Sequence, residues 1–106
     1  MPVKEVYCSV EGTLRVISGR WKVLIINCLF DGTMRFNELQ RSLTGITHRT
    51  LSRQLREMEM HQLIVRHDFD EIPPRVEYSL SPLGHSLKTI LLAMDEWGKK
   101  YNVTAK

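Results

Sequence analysis

The chain has 106 residues, 42% of them hydrophobic and 25% charged, with fifteen Lys and Arg against twelve Asp and Glu, for a net charge of +3. That balance belongs to an ordinary globular protein and excludes a disordered tail, a collagen-like chain or a coiled-coil rod; the length leaves no room for a catalytic domain beside a regulatory one. The mild basicity permits nucleic acid as a partner without demanding it.

The first helix is expected from about Ser9 to Ile17, with Val10, Leu14 and Ile17 on one face, Ser9 as the cap and Gly19 as the stop. A second begins near Trp21. It puts Trp21, Leu24, Ile25, Cys28 and Leu29 on one face and ends at Asp31-Gly32. Thr33 to Phe36 is short and extended. Asn37 to Ser42 is a short helix that buries Leu39 and Leu43, and Thr44-Gly45 makes a tight turn. Thr47 caps a longer helix reaching about His61, with Leu51, Leu55 and Met58 as its apolar stripe. Two strands follow, Leu63 to Phe69 and the alternating Val76, Tyr78 and Leu80. Asp70-Glu71-Ile72-Pro73-Pro74 forms the tip between them. Ser81-Pro82 opens a last helix that runs to about Tyr101.

The expected fold is thus α+β and mostly α: a winged helix-turn-helix with an added N-terminal helix and a C-terminal dimerisation helix. A single domain over residues 1–106 is expected, with the recognition helix at about 47–61, the wing at about 63–80 and the dimer helix at about 82–101.

The charge is unevenly spread. Nine of the cations are Arg, six of these lie between Arg35 and Arg66, and no acid occurs from Leu39 to Arg56. In the Thr47–His61 helix, Arg49, Arg53 and Arg56 repeat the spacing of Leu51, Leu55 and Met58 two residues out of step. At about 100° per residue, that puts the arginines opposite the core stripe. Three permanently charged planar donors on one exposed face suit the phosphates and base edges of a DNA groove. Taken alone, such a stripe is more often merely solvated, with Arg53 paired to Glu57 and Arg56 to Glu59. The short helix and turn before it, and the proline-tipped hairpin after it, favour DNA. His48 and Ser52 lie near the end of the helix that faces the bases, whereas Thr47 and Thr50 serve the capping turn. Arg75, behind two prolines, is expected to be held outward as a wing contact, or else to pair with the acids around Glu77.

The last helix is broadly apolar. Leu83, Leu87, Ile90, Leu91, Met94, Trp97 and Tyr101 span an arc wide enough to cover a core and a second subunit together. A two-fold homodimer would set two recognition helices about 34 Å apart, one turn of DNA. Cys8, read as lying just ahead of the first helix and near Lys4, is a candidate reactive thiol; an inert residue at a frayed terminus is the plainer alternative. Cys28 reads as buried packing. No Cys-x-x-Cys, His-x-x-x-His, phosphate loop or Gly-x-Ser-x-Gly elbow occurs, so no metal, cofactor or enzymatic activity is expected. The opening Met-Pro-Val-Lys-Glu-Val-Tyr lacks a signal-peptide apolar core and no run approaches membrane-spanning length, so a cytoplasmic location without a membrane partner is expected.

Several blocks together resemble the HxlR family of winged-helix regulators. They are Cys8-Ser9-Val10-Glu11, Gly19-Arg20-Trp21-Lys22, Arg35-Phe36-Asn37-Glu38-Leu39, Leu51 to Glu59, and Pro73-Pro74-Arg75-Val76-Glu77-Tyr78-Ser79-Leu80, closed by Gly84 and Trp97. The resemblance implies a homodimeric regulator of transcription that contacts operator DNA through His48, Arg49, Ser52 and Arg53, with a wing at Arg75. It also implies that Cys8 aligns with a cysteine through which some members sense oxidants or electrophiles; Ser9 stands where a proline commonly follows that cysteine. Two rival readings are a regulator without a working thiol, controlled by a small molecule at the dimer cleft, and a winged helix used only for protein contacts.

Overall fold

A computed structural model describes residues 3–103, with side chains from residue 8 onward. The elements are α1 (Val3–Ile17), α2 (Arg20–Leu29), β1 (Met34–Arg35), α3 (Phe36–Ser42), α4 (His48–Met60), β2 (Ile64–Asp68), β3 (Val76–Leu80), α5 (Pro82–Ser86) and α6 (Lys88–Lys100). The strands form one antiparallel sheet in the order β1-β3-β2. Met34 pairs with Tyr78 on one side, and Ile64 through Asp68 pair with Leu80 through Val76 on the other. This is the winged helix-turn-helix expected from the residue pattern.

The core joins α2, α3, α4 and the sheet. Ile25, Ile26, Leu29, Leu39, Leu51, Leu55, Met58 and Leu63 are its fully buried side chains. Each contributes roughly 1.5–3 kcal/mol of apolar burial. The Leu51–Leu55–Met58 stripe faces inward as its spacing requires. α4 ends without a glycine: Gln62 takes φ 62°, and Leu63 N–H donates to Met58 O at 3.0 Å and Gln62 N–H to Glu59 O at 3.0 Å. That is a Schellman closure, and the buried Leu63 and Met58 supply its apolar contact.

Three expectations need correction. α1 begins at Val3, so Ser9 lies inside the helix rather than capping it, and its carbonyl accepts from the Thr13 hydroxyl at 3.0 Å. The apolar spacing of Val10, Leu14 and Ile17 extends upstream through Val6 and Val3, which carries the helix past the serine. On α2 the buried face comprises Lys22, Ile25, Ile26 and Leu29, while Leu24 is exposed and Trp21 and Cys28 pack only at the edge. Lys22 shares the i, i+3, i+4, i+7 spacing of that face with Ile25, Ile26 and Leu29. Finally, the last helix is two helices. A turn at Leu87, whose N–H reaches Gly84 O at 3.2 Å, separates α5 from α6. The turn sets Leu87 and Leu91 against the core and leaves no fully buried residue on α6.

Candidate nucleic-acid interface

The helix-turn-helix is assembled from local bonds. Arg35 N–H donates to Glu38 Oε1 at 2.8 Å and opens α3. Gly45 takes φ 88°, and Ile46 N–H reaches Leu43 O at 3.1 Å, with Leu43 and Ile46 both buried beneath the turn. Thr47 Oγ1 accepts from Thr50 N–H at 3.1 Å and caps α4. The His48 ring, at the exposed start of α4, lies 4.6 Å from the Phe36 ring at the start of α3. The two helices are therefore clamped at the end of α4 assigned to base contacts.

Arg49, Arg53 and Arg56 are exposed and share a shallow hollow of about 330 Å³ with Glu57 and Met60. Ser52 is half-buried beside them. Among the described residues, none of the three arginines forms an ion pair. The pairing of Arg53 with Glu57, and of Arg56 with Glu59, does not occur. Glu57 instead meets Lys22 of α2, Nζ to Oε2 at 2.8 Å. The Lys22 hydrogen bond, followed by the Lys22 charge, holds the Glu57 carboxyl below the usual glutamate range against the opposing effect of desolvation, with lesser help from the charges of Arg53 and His61. Lys22 escaped the sequence reading. Its one signal was a lysine at a core-facing position between Trp21 and Ile25.

Arg75 stands apart from this face and does not project outward. Its guanidinium lies 3.7 Å from the Phe69 ring centroid, and its Nε is 3.7 Å from Glu77 and 3.9 Å from Glu71. The Phe69 ring in turn packs 4.5 Å from His67. The wing thus holds its arginine against its own surface. Two acids and an aromatic face outcompete solvent for a planar cation.

At the two ends of the chain, α1 and α6 leave apolar residues uncovered. Val10 and Leu14 of α1, and Ile90, Met94 and Trp97 of α6, are all exposed, as is Tyr101 beyond it. The Trp97 and Tyr101 rings lie 5.0 Å apart. Leu83 on α5 is exposed too, whereas Leu87 and Leu91 face the core. A cavity of about 490 Å³ opens between α2 and α6, lined by Val23, Leu24, Phe30, Lys88 and Leu91.

Cys8 is exposed and free. It lies well inside α1 rather than ahead of it, so a helix N-terminus is not what acts on its thiol. The Lys4 side chain lies outside the described residues. Cys28 is free and half-buried; burial, and secondarily the Asp31 charge, push its thiol pKa up. Among the described residues no cluster of three or more His, Cys, Asp and Glu has a metal-binding arrangement, and no helix is long and apolar enough to cross a membrane.

Residues 16–106 match the family described as HxlR-like helix-turn-helix. The chain is 45% identical over 94 residues to the uncharacterized HTH-type transcriptional regulator YdeP of Bacillus subtilis, covering 89% of this chain and 73% of that protein. A second such regulator, from Methanothermobacter thermautotrophicus, is 48% identical over 97 residues, 92% of this chain and 74% of its own. Among solved structures, the redox regulator HypR in its reduced form superposes with a TM-score of 0.84 at 44% identity, covering 89% of this chain and 93% of its own. Reduced YodB from B. subtilis superposes with a TM-score of 0.80 at 29% identity, covering 95% and 94%.

Proposed function

Because the chain belongs to the HxlR-like helix-turn-helix family of DNA-binding transcriptional regulators, we propose that it binds operator DNA as a two-fold homodimer with α4 in the major groove. The observation that carries this reading is the unpaired arginine face of α4. Arg49, Arg53 and Arg56 lie opposite the buried stripe, and no acid among the described residues forms an ion pair with them. Phosphate contacts from these side chains supply affinity, and His48 and Ser52, near the start of the helix, read base edges. Arg75 joins the interface by leaving Phe69, Glu71 and Glu77 for a phosphate or a minor groove.

Binding to duplex DNA from the protein's own upstream region, titrated across salt, tests the reading. Tight, salt-sensitive binding is expected, and Arg53→Ala should lower the slope of log K against log salt by about 1. Binding at only the non-specific level, with no change in Arg53→Ala, would leave the protein-contact module standing instead.

Support for dimerisation comes from the exposed apolar residues of the two terminal helices, Val10 and Leu14 on α1 and Ile90, Met94 and Trp97 on α6. A thiol switch at Cys8 finds support in its exposure on α1, the helix that also carries the exposed Val10 and Leu14, and in the similarity to the redox regulator HypR and to the transcriptional regulator YodB, whose structure is of a reduced form. Oxidation of Cys8 would then alter the packing of α1 and with it the spacing of the two α4 helices. If Cys8→Ser protein releases DNA on oxidation as the parent does, the switch lies elsewhere, and a small molecule at the dimer cleft becomes the better reading.

A further inference from the structure

Arg53 and Glu57 stand four residues apart on α4, the spacing at which opposite charges on a helix ordinarily meet. They do not meet here, because the Glu57 carboxylate is taken by an ammonium from another helix. Lys22 is only 7% exposed, an unusual place for a lysine, and Glu57 is its one ion-pair partner among the described residues. A buried ammonium is costly without a counter-charge, so the pair is held from the Lys22 side. Glu57 keeps 41% of its side chain in water, on the rim of the hollow that contains the three arginines. An unclaimed carboxylate there has two effects on DNA binding: it captures Arg53, and it repels phosphate.

We infer that Lys22 is a positioning residue for DNA binding, which by holding Glu57 keeps Arg53 free for phosphate. The inference rests on the reading of α4 as the DNA-contacting helix. Lys22 touches no DNA itself; it acts through Glu57 on Arg53. Its contribution appears in the number of phosphates neutralised, a quantity that a purely structural role does not move.

The test measures the salt dependence of DNA binding for the parent, Arg53→Ala, Lys22→Met, Lys22→Met with Arg53→Ala added, Glu57→Gln and the double variant Lys22→Met/Glu57→Gln. Lys22→Met should lose about 1 from the slope, and adding Arg53→Ala in that background should lose little more. The double variant, with neither the lysine nor the competing carboxylate, should regain the parent slope, and Glu57→Gln alone should retain it. A parent-like slope in Lys22→Met, or a double variant as weak as Lys22→Met, overturns the inference. An unchanged slope for Arg53→Ala in the parent overturns instead the reading on which it rests. Circular dichroism checks that each variant is folded; if Lys22→Met is not, Lys22→Gln, which keeps the length and a donor without the charge, takes its place with the same expectations.

Discussion

Gly84 lies so close to the backbone carbonyl of Leu63 that no Cβ fits between them. The contact joins the start of α5 to the turn that closes α4. Ser81 reinforces it: its hydroxyl reaches Gln62 O at 2.6 Å and Leu63 O at 3.0 Å, and accepts from Gly84 N–H at 3.0 Å. The obstacle to a side chain is backbone rather than a movable rotamer. Gly84→Ala should therefore destabilise the fold by about 1–3 kcal/mol, as overpacking does. Urea unfolding measures it, and an unchanged midpoint would show that α5 can lift off Leu63 without cost.

The pairing of Glu57 with Lys22 predicts an acid-dependent contribution to stability. A carboxyl whose folded pKa is lowered stabilises above its unfolded value, and that contribution is lost as pH falls through the folded value. Glu57→Gln should thus lower Tm near pH 7, by a few degrees given the exposure of the carboxylate. The gap attributable to its charge should shrink as pH drops below the usual glutamate value of 4.5. A gap independent of pH from 7 to 3 would show that the charge contributes nothing.

The two thiols should react differently. Cys8 is exposed, whereas burial and the Asp31 charge disfavour the Cys28 thiolate. At pH 7.5 iodoacetamide should label Cys8 at least about tenfold faster than Cys28 in the folded protein, and denaturant should remove most of the difference. Peptide mapping distinguishes them. Equal rates in the folded state would mean that the α2 edge opens readily.

The uncovered face of α6 predicts association. Trp97→Glu should shift sedimentation from a dimer toward the 12.4 kDa monomer. Because Trp97 is 60% exposed in the isolated chain, the monomer's own stability should change by no more than about 0.5 kcal/mol. A parent protein that already sediments as a monomer at micromolar concentration would remove the two-fold arrangement.

What the sequence carried well was whatever repeats along one element. The two stripes of α4, the Thr47 cap, the alternation of Val76, Tyr78 and Leu80, and the Gly45 turn are each set by neighbours in the chain. Contacts made across the fold left no such trace. The Lys22–Glu57 pair joins two helices, and the buried face of α2 runs through Lys22 and Ile26 rather than through Leu24. The contact of Gly84 with Leu63 pins α5, and the Leu87 turn follows it to end what periodicity alone presents as one helix. Arg75 shows the limit at the wing. Its position in the sequence was clear, but its direction depends on Phe69, Glu71 and Glu77 folding around it.

The opposed faces of α4 also divide what selection can change from what it must leave alone. Leu51, Leu55 and Met58 hold the helix on the core, where loss of a side chain costs several kcal/mol. Arg49 and Arg53 bear none of that burden, and exchanges at such exposed sites ordinarily cost within about 0.5 kcal/mol. On the proposed reading of α4 as the DNA-contacting helix, a duplicated copy of this gene is free to try new residues on the outer face and acquire a different target sequence at little cost to folding. On this scaffold, retargeting is a matter of surface chemistry, and a new regulator is only a few tolerated substitutions from an old one.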